Sequence, residues 1–292
     1  MKTAFLSATL IWMSLSSAHA AELFVRPDGT SLDCSAAAPC GLIQAAINRA
    51  APGDRIHVNP GTYTENLTIP AGKDGIEING AGAKQTVLVS AGGNATPKFA
   101  PAGVPVDIII DIFSSNVLIE GLTLRHPAAV PTKRDIGVFV RPPALNVVMA
   151  KNIIERQRTG AVLEPTAPGS RGVFAIRATG TEIVENKFTG NYEDHVHLPT
   201  SASEVVKNHI SGATRFGIVI IQETPDTLSR DSTIDHNTVR NSGSDGIQIQ
   251  GDANLITRNK VSGSAGAGIR LCGPTSVPPC AAPGANATAS DN

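Results

Sequence analysis

An all-β solenoid, with parallel strands coiling around a single core, is the fold class that the sequence predicts. Three observations predict it: a short segment pattern recurs along the chain, a second pattern recurs at a fixed distance behind the first, and a helical period stands out only near the start. Glycine is abundant and aromatic residues make up 4% of the 292 residues, so a turn-rich chain built on β-branched side chains is expected.

Residues 1–20 stand apart from that fold. Lys2 gives a positive start, "AFLSATLIWMSL" forms a short apolar stretch, and "SSAHA" puts Ala18 and Ala20 at the two small positions of a cleavage site. The stretch is too short for a spanning helix. It reads as a secretory signal, which leaves 21–292 as one solenoid domain, with 21–60 as a cap region and 61–292 as coils. A periplasmic or secreted product without a membrane span is expected. In an oxidising compartment the four cysteines are expected to form two local bridges, Cys34–Cys40 and Cys272–Cys280. A formal net charge of −1 argues against a nucleic-acid partner, which calls for a basic stripe.

The cap comes first. In "CGLIQAAINRAAPGD", Ile43, Ala46, Ile47 and Ala50 fall at i, i+3, i+4 and i+7, and Pro52-Gly53 ends the run. A short amphipathic helix of this kind can cover the open end of a solenoid, whose first coil would otherwise expose its core.

The coils follow. "VVMAKNII", "EIVENKF", "EVVKNHI", "STIDHNTV" and "NLITRNKV" each run from β-branched residues to an asparagine, at Asn152, Asn186, Asn208, Asn237 and Asn259. "NVLIEGLTL" fits the same frame with Gly121 in the asparagine slot, giving spacings of 31, 34, 22, 29 and 22 residues. A shortest period of 22 with variable additions describes roughly eight coils that tolerate insertions. Stacked asparagines are expected to form a ladder, each amide bonding its neighbour and the turn backbone. "HVHL", "GIVI", "GIQI" and "GIRL" begin nine residues after four of these asparagines. Alternation points Val196/Leu198, Ile218/Ile220, Ile247/Ile249 and Ile269/Leu271 inward and their partners outward.

With these residues in place, "IQAAINRAAPGDRIHVNPGTYTENLTI", "GIEINGAGAKQTVLV" and the Asn-x-[Ile/Val] coils resemble the right-handed parallel β-helix of the pectin-lyase-like superfamily over most of the chain. That resemblance implies a fold and a polyuronate-type ligand more than a reaction, because the fold hosts lyases, hydrolases, esterases, epimerases and non-enzymatic adhesins. "GTYTE" matches a piece of the pectin methylesterases, but their paired-aspartate strand and late Arg-Pro-Trp are missing. The Asp-Asp and Gly-His-Gly of polygalacturonases and the Asp-Pro-His-Asp of alginate epimerases are missing too.

Candidate chemistry therefore rests on stacking. "NYEDHVHLPT" holds His195 and His197 at i and i+2, on one expected outer face. One imidazole could take the C5 proton of a uronic acid while Arg215 or Arg270 neutralises the neighbouring carboxylate. The same pair could bind a divalent metal with Glu193 or Asp194 as a third ligand; no other cofactor is called for. Alignment puts Glu193 beside Arg215 and His197 in a column with Val219, Gln248 and Arg270. Asp194 and Asp245 share a column with Phe216 between them, about 9–10 Å apart by strand spacing, near the upper end of an inverting glycosidase pair. Tyr192 and Phe216 flank the histidine strand as sugar-binding rings.

The leading expectation is an exported β-helix that binds or processes an acidic polysaccharide, as a polysaccharide lyase or glycoside hydrolase if it is an enzyme. The alternative is a non-catalytic structural or adhesive solenoid, favoured by the scarcity of aromatic rings. Asn66, Asn94 and Asn286 fit a glycan acceptor pattern. "ANATASDN" lines up with "ANLITRN", putting Asn292 in the ladder slot midway through a coil. Such an edge is expected either to belong to a truncated product or to be covered by another subunit or segment.

Overall fold

The computed structural model describes residues 20–92, 106–127, 134–157, 170–221 and 229–272, together with the backbone of 288–290. Every strand pairing among them is parallel, and the strands form three sheets. Sheet I has ten strands, and sheets II and III have eight each. One coil passes through all three, as in Glu182–Val184 on sheet I, Lys187–Gly190 on sheet II and Asp194–His197 on sheet III. Eight such coils stack, as the repeat count predicts, with one further strand at each end of sheet I. The last of these, Thr288–Ser290, pairs with Leu255–Thr257 in the predicted alignment, and Asn292 itself lies outside the described residues.

A single apolar column fills the interior. Ile56, Ile78, Ile119, Met149, Ile183, Val205, Ile234 and Ile256 stack down sheet I, and Val138, Val173, Val196, Ile218 and Ile247 stack down sheet III. Each such side chain contributes about 1.5–3 kcal/mol by leaving water. The cap helix runs Ile43–Arg49 and buries Ile43, Ala46 and Ile47. Its first amides are capped from the coil beneath: Glu65 of "GTYTE" accepts from the N–H groups of Ile43 at 2.9 Å and Gln44 at 3.0 Å. The Cys34–Cys40 disulfide is present beside this cap. Cys272 is disulfide-bonded, while Cys280 lies outside the described residues.

The asparagine ladder forms as expected. The Oδ1 of Asn186, Asn208, Asn237 and Asn259 accepts the backbone N–H of Asn152, Asn186, Asn208 and Asn237 in turn, at 2.9–3.0 Å. The amides donate to carbonyls of the previous coil, as Asn208 does to Ile183. The residue before each asparagine (Lys151, Glu185, Lys207, His236, Arg258) is left-handed, with φ between 53° and 57°. That conformation costs a side-chain-bearing residue about 1–2 kcal/mol, and the ladder bonds offset it. Gly121 adopts the same conformation at φ 70°. The slot of that coil is therefore Leu122, whose N–H goes to Asn152 Oδ1 at 3.0 Å, and the expected alignment on Gly121 is one residue off.

Among the described residues, coils are also joined by five hydrogen-bonded aspartate–arginine clasps, in each of which the aspartate belongs to the earlier coil, while Arg171 on an earlier coil comes within 3.9 Å of Asp194 on the next. Arg141, Arg215, Arg258 and Arg270 each grip a carboxylate through both Nε and Nη2, on Asp111, Asp194, Asp235 and Asp245 respectively, with contacts of 2.5–3.0 Å. Arg156 Nε reaches Asp135 at 2.7 Å.

Candidate functional site

The outer face of sheet III gathers the charged and aromatic residues. Arg171, Asp194 and Phe216 stack in one outward column, and Phe139, Phe174, His197, Val219, Gln248 and Arg270 in another. Arginines lie over the rings: Arg141 is 4.2 Å from the centre of Phe139, Arg171 is 4.1 Å from Phe174, and Arg215 is 4.8 Å from Phe216. The predicted column of His197 with Val219, Gln248 and Arg270 is confirmed, as is Glu193 beside Arg215, at 3.1 Å.

Asp194 is the hub of this face. It receives Arg215 on both oxygens, His197 Nδ1 at 2.8 Å and the Phe216 N–H at 3.3 Å. Burial alone would raise its carboxyl, but the hydrogen bonds from His197 and Arg215 outweigh burial and hold it well below the usual carboxylate range. His197 stands in the outward column but is buried, 1% exposed, and its Nδ1 and the Asp194 carboxylate share their hydrogen bond beneath the surface, a contact by which a carboxylate can orient an imidazole. Arg215 and Arg270 have side chains that are 39% and 40% exposed, so both present charge to solvent.

His195 does not join them. Its column, shared with Gly137, Gly172, Gly217 and Gly246, turns inward: a Cβ on Gly172 would meet Phe188, and one on Gly217 would meet Val239. Strand alternation therefore breaks here, with positions 195 and 196 both facing the core. His195 packs against Phe188 and Tyr192 and is fully buried, and its Nε2–H donates to the Ser211 carbonyl at 3.0 Å. Burial lowers its pKa to about 4. The expected outward pair is thereby corrected: with one imidazole inside and one outside, His195 and His197 cannot share a metal ion, and His195 cannot touch a ligand on the outer face.

Tyr192 is corrected as well. It is fully buried, its hydroxyl bonds His126 Nδ1 at 2.8 Å, and burial pushes that hydroxyl far above its ordinary pKa. Asp194 and Asp245 share their column through Phe216, as aligned, but neither is a lone carboxylate. Asp245 is buried, held by Arg270 and by the Ala267 N–H at 2.7 Å. Two acids each neutralised by an arginine do not form a glycosidase acid–base pair. Gln248 lies in the outer column but is buried.

A second constellation was not foreseen. Asp107, His126 and Asp135 bring ligand-type atoms within 4.8 Å of one another at the buried corner between sheets II and III. Ser90 Oγ donates to Asp107 (2.6 Å to Oδ1), and so does Asn66 Nδ2 at 2.8 Å. His126 Nε2–H donates to the Asp107 carbonyl at 3.2 Å while Nδ1 accepts from Tyr192. The residues do not fit a metal: both imidazole nitrogens are engaged, and the Arg156 guanidinium already supplies the positive charge beside Asp135. The cluster instead anchors insertions, since Ser90/Asp107, His126/Asp135 and Arg156/Ser170 flank the three longest connections between these sheets. The only sequence signal for it was the position of polar residues at strand ends. Asn66 is consumed by this cluster, so its side chain is not an outward glycan acceptor. Asn94 and Asn286 lie outside the described residues.

Among the described residues no helix is long and apolar enough to cross a membrane. No curated protein matches the chain. Among solved structures it is similar to the Dettilon tailspike protein, with 19% identity and a TM-score of 0.57 over 80% of this chain. The chain spans 43% of that tailspike's length. A pectin methylesterase in complex with a hexasaccharide is 12% identical with a TM-score of 0.52, covering 86% of this chain and 82% of its own. A lacto-N-biosidase from Eubacterium ramulus is 10% identical with a TM-score of 0.50, covering 86% of this chain and 63% of its own. These likenesses share the fold. The family model for the right-handed β-helix region matches residues 112–277, more than half of the sequence, and the chain belongs to that family.

Proposed function

We propose that the chain is an exported protein that binds a polysaccharide along the outer face of sheet III. The observation that carries the reading is the row of arginines over phenylalanine rings on that face, from Arg141 to Arg215, with Arg270 continuing the charge. Guanidinium–ring pairs on three of the coils, with Arg215 and Arg270 the partly exposed cations, would give an extended acidic ligand more than one foothold on this face. The tailspike, pectin methylesterase and lacto-N-biosidase likenesses support a carbohydrate ligand. The Cys34–Cys40 disulfide supports export.

A second reading, that the face also processes its ligand, is favoured by the Asp194–His197 contact of 2.8 Å. In that reading His197 takes the C5 proton of a uronate unit and Arg215 offsets the neighbouring carboxylate. The C4–O bond breaks as the C4–C5 double bond forms, and the leaving oxygen takes a proton from water. The test is ultraviolet detection of unsaturated uronate from a panel of polyuronates, with binding measured in parallel by calorimetry. Product from the wild-type protein that is lost in His197→Ala supports lyase chemistry. Binding without product supports the binding solenoid, and neither binding nor product refutes both readings.

A further inference from the structure

Four arginines in this chain hold an aspartate in one geometry, with Nε and Nη2 on the two carboxylate oxygens: Arg141, Arg215, Arg258 and Arg270. Among the described residues, Arg134 presents the same edge to no carboxylate. It opens the strand Arg134–Val140 on sheet III and is 8% exposed. Its Nε and Nη2 are buried without a hydrogen-bond partner among the described residues. A buried guanidinium edge with no acceptor is costly, and buried polar groups are almost always satisfied.

The surroundings add to that cost. Burial and the neighbouring Arg171 both push the Arg134 guanidinium pKa down, and Glu193 opposes them only in part. Glu193 is itself held by Arg215 at 3.1 Å. Two guanidinium groups thus sit side by side on this face, Arg171 with its Nε 3.9 Å from Asp194 and Arg134 without a hydrogen-bonded acid among the described residues. A planar group with two oxygens would satisfy the empty edge in the way that Asp111, Asp194, Asp235 and Asp245 satisfy the other four.

We propose that the Nε/Nη2 edge of Arg134 receives the carboxylate of an acidic sugar unit, with Arg171 supplying a second positive charge beside it. This rests on the reading of sheet III as a polysaccharide-binding face and deepens it by naming the substituent recognised. Arg134 stands two residues before Ile136, which is aligned through Arg171 with Asp194, so the receptor lies two coils (roughly 9–10 Å along the stack) and two residues along the strand from Asp194.

The test uses the nitrogen-15-labelled protein and follows the Arg134 Nε–H signal, assigned by its loss in Arg134→Lys. Trigalacturonate is titrated against the neutral trisaccharide made by reducing its carboxylates. The expected result is a saturable shift with the acidic trimer alone, and affinity at least tenfold weaker in Arg134→Lys, whose thermal midpoint verifies that it is folded. A trimer that binds wild type and Arg134→Lys equally well overturns the assignment. Sodium acetate and sodium sulfate are added separately at matched ionic strength. A shift with acetate but no trimer binding keeps the carboxylate receptor and removes the polysaccharide reading. A shift with sulfate but not acetate, or none with any anion, overturns the receptor.

Discussion

Replacing His195 with leucine should flatten the acid side of the stability profile. The imidazole is fully buried between Phe188 and Tyr192, and burial lowers its pKa from 6.5 to about 4. The Ser211 carbonyl and the Asp194 charge favour the protonated form, but burial outweighs them. Above pH 6.5 neither folded nor unfolded chain is protonated at this site, and its titration costs nothing. As pH falls, the unfolded chain takes up a proton that the folded chain refuses. Stability then drops by about 1.4 kcal/mol per pH unit until the folded imidazole titrates near pH 4. The accumulated loss is about 3 kcal/mol. Urea unfolding of wild type and His195→Leu at pH 7.5, 6, 5 and 4 measures it. The variant loses the hydrogen bond to Ser211 and starts lower at pH 7.5. The wild type should then lose about 3 kcal/mol more than the variant on the way to pH 4. Parallel profiles would refute the inward, neutral His195.

Two further outcomes follow from the same packing. Asn208→Ala strips the ladder of the acceptor for the Asn186 N–H and of the donors to Ile183 and Asn237, and should cost about 2–4 kcal/mol by urea unfolding; a loss below 1 kcal/mol would argue that the neighbouring coils close over the gap. Gly217→Ala would place a Cβ 2.4 Å from Val239 Cγ1 and 2.7 Å from the Gly246 carbonyl, and should cost about 1–3 kcal/mol in thermal unfolding; an unchanged midpoint would mean that this inward column has room to spare.

The repeat was legible because each coil repeats the same physical problem. A turn that needs one left-handed residue and a side chain able to bond the coils above and below writes Lys-Asn, Glu-Asn, His-Asn or Arg-Asn into five of the coils. Where glycine takes the left-handed position itself, the spelling shifts by one residue, which is why Gly121 was aligned to the slot that Leu122 fills. The columns on sheet III were legible from register alone. The direction of one column was not, because strict alternation misses the inward break at position 195. Glycine occupies that column in the flanking coils and has no side chain to reveal its direction. The corner cluster of Asp107, His126, Asp135 and Tyr192 stayed hidden for a different reason. Its members come from coils of unequal length, so no fixed spacing connects them.

The forward direction of the aspartate–arginine clasps bears on how the chain can be made. Each clasp has its acid on the earlier coil and its base on the next, from Asp111–Arg141 to Asp245–Arg270. During synthesis the amino-terminal coils emerge first, so the growing end of a half-built stack presents carboxylates still waiting for their arginines. That end is also a bare set of strand edges, the surface most prone to pairing with another chain. Two nascent stacks meeting end to end would bring like charges together in a poorly solvated junction, whereas the next stretch of the same chain carries the matching cation. The clasps thus act as a polarity mark that favours continuing one's own coil over joining a neighbour's.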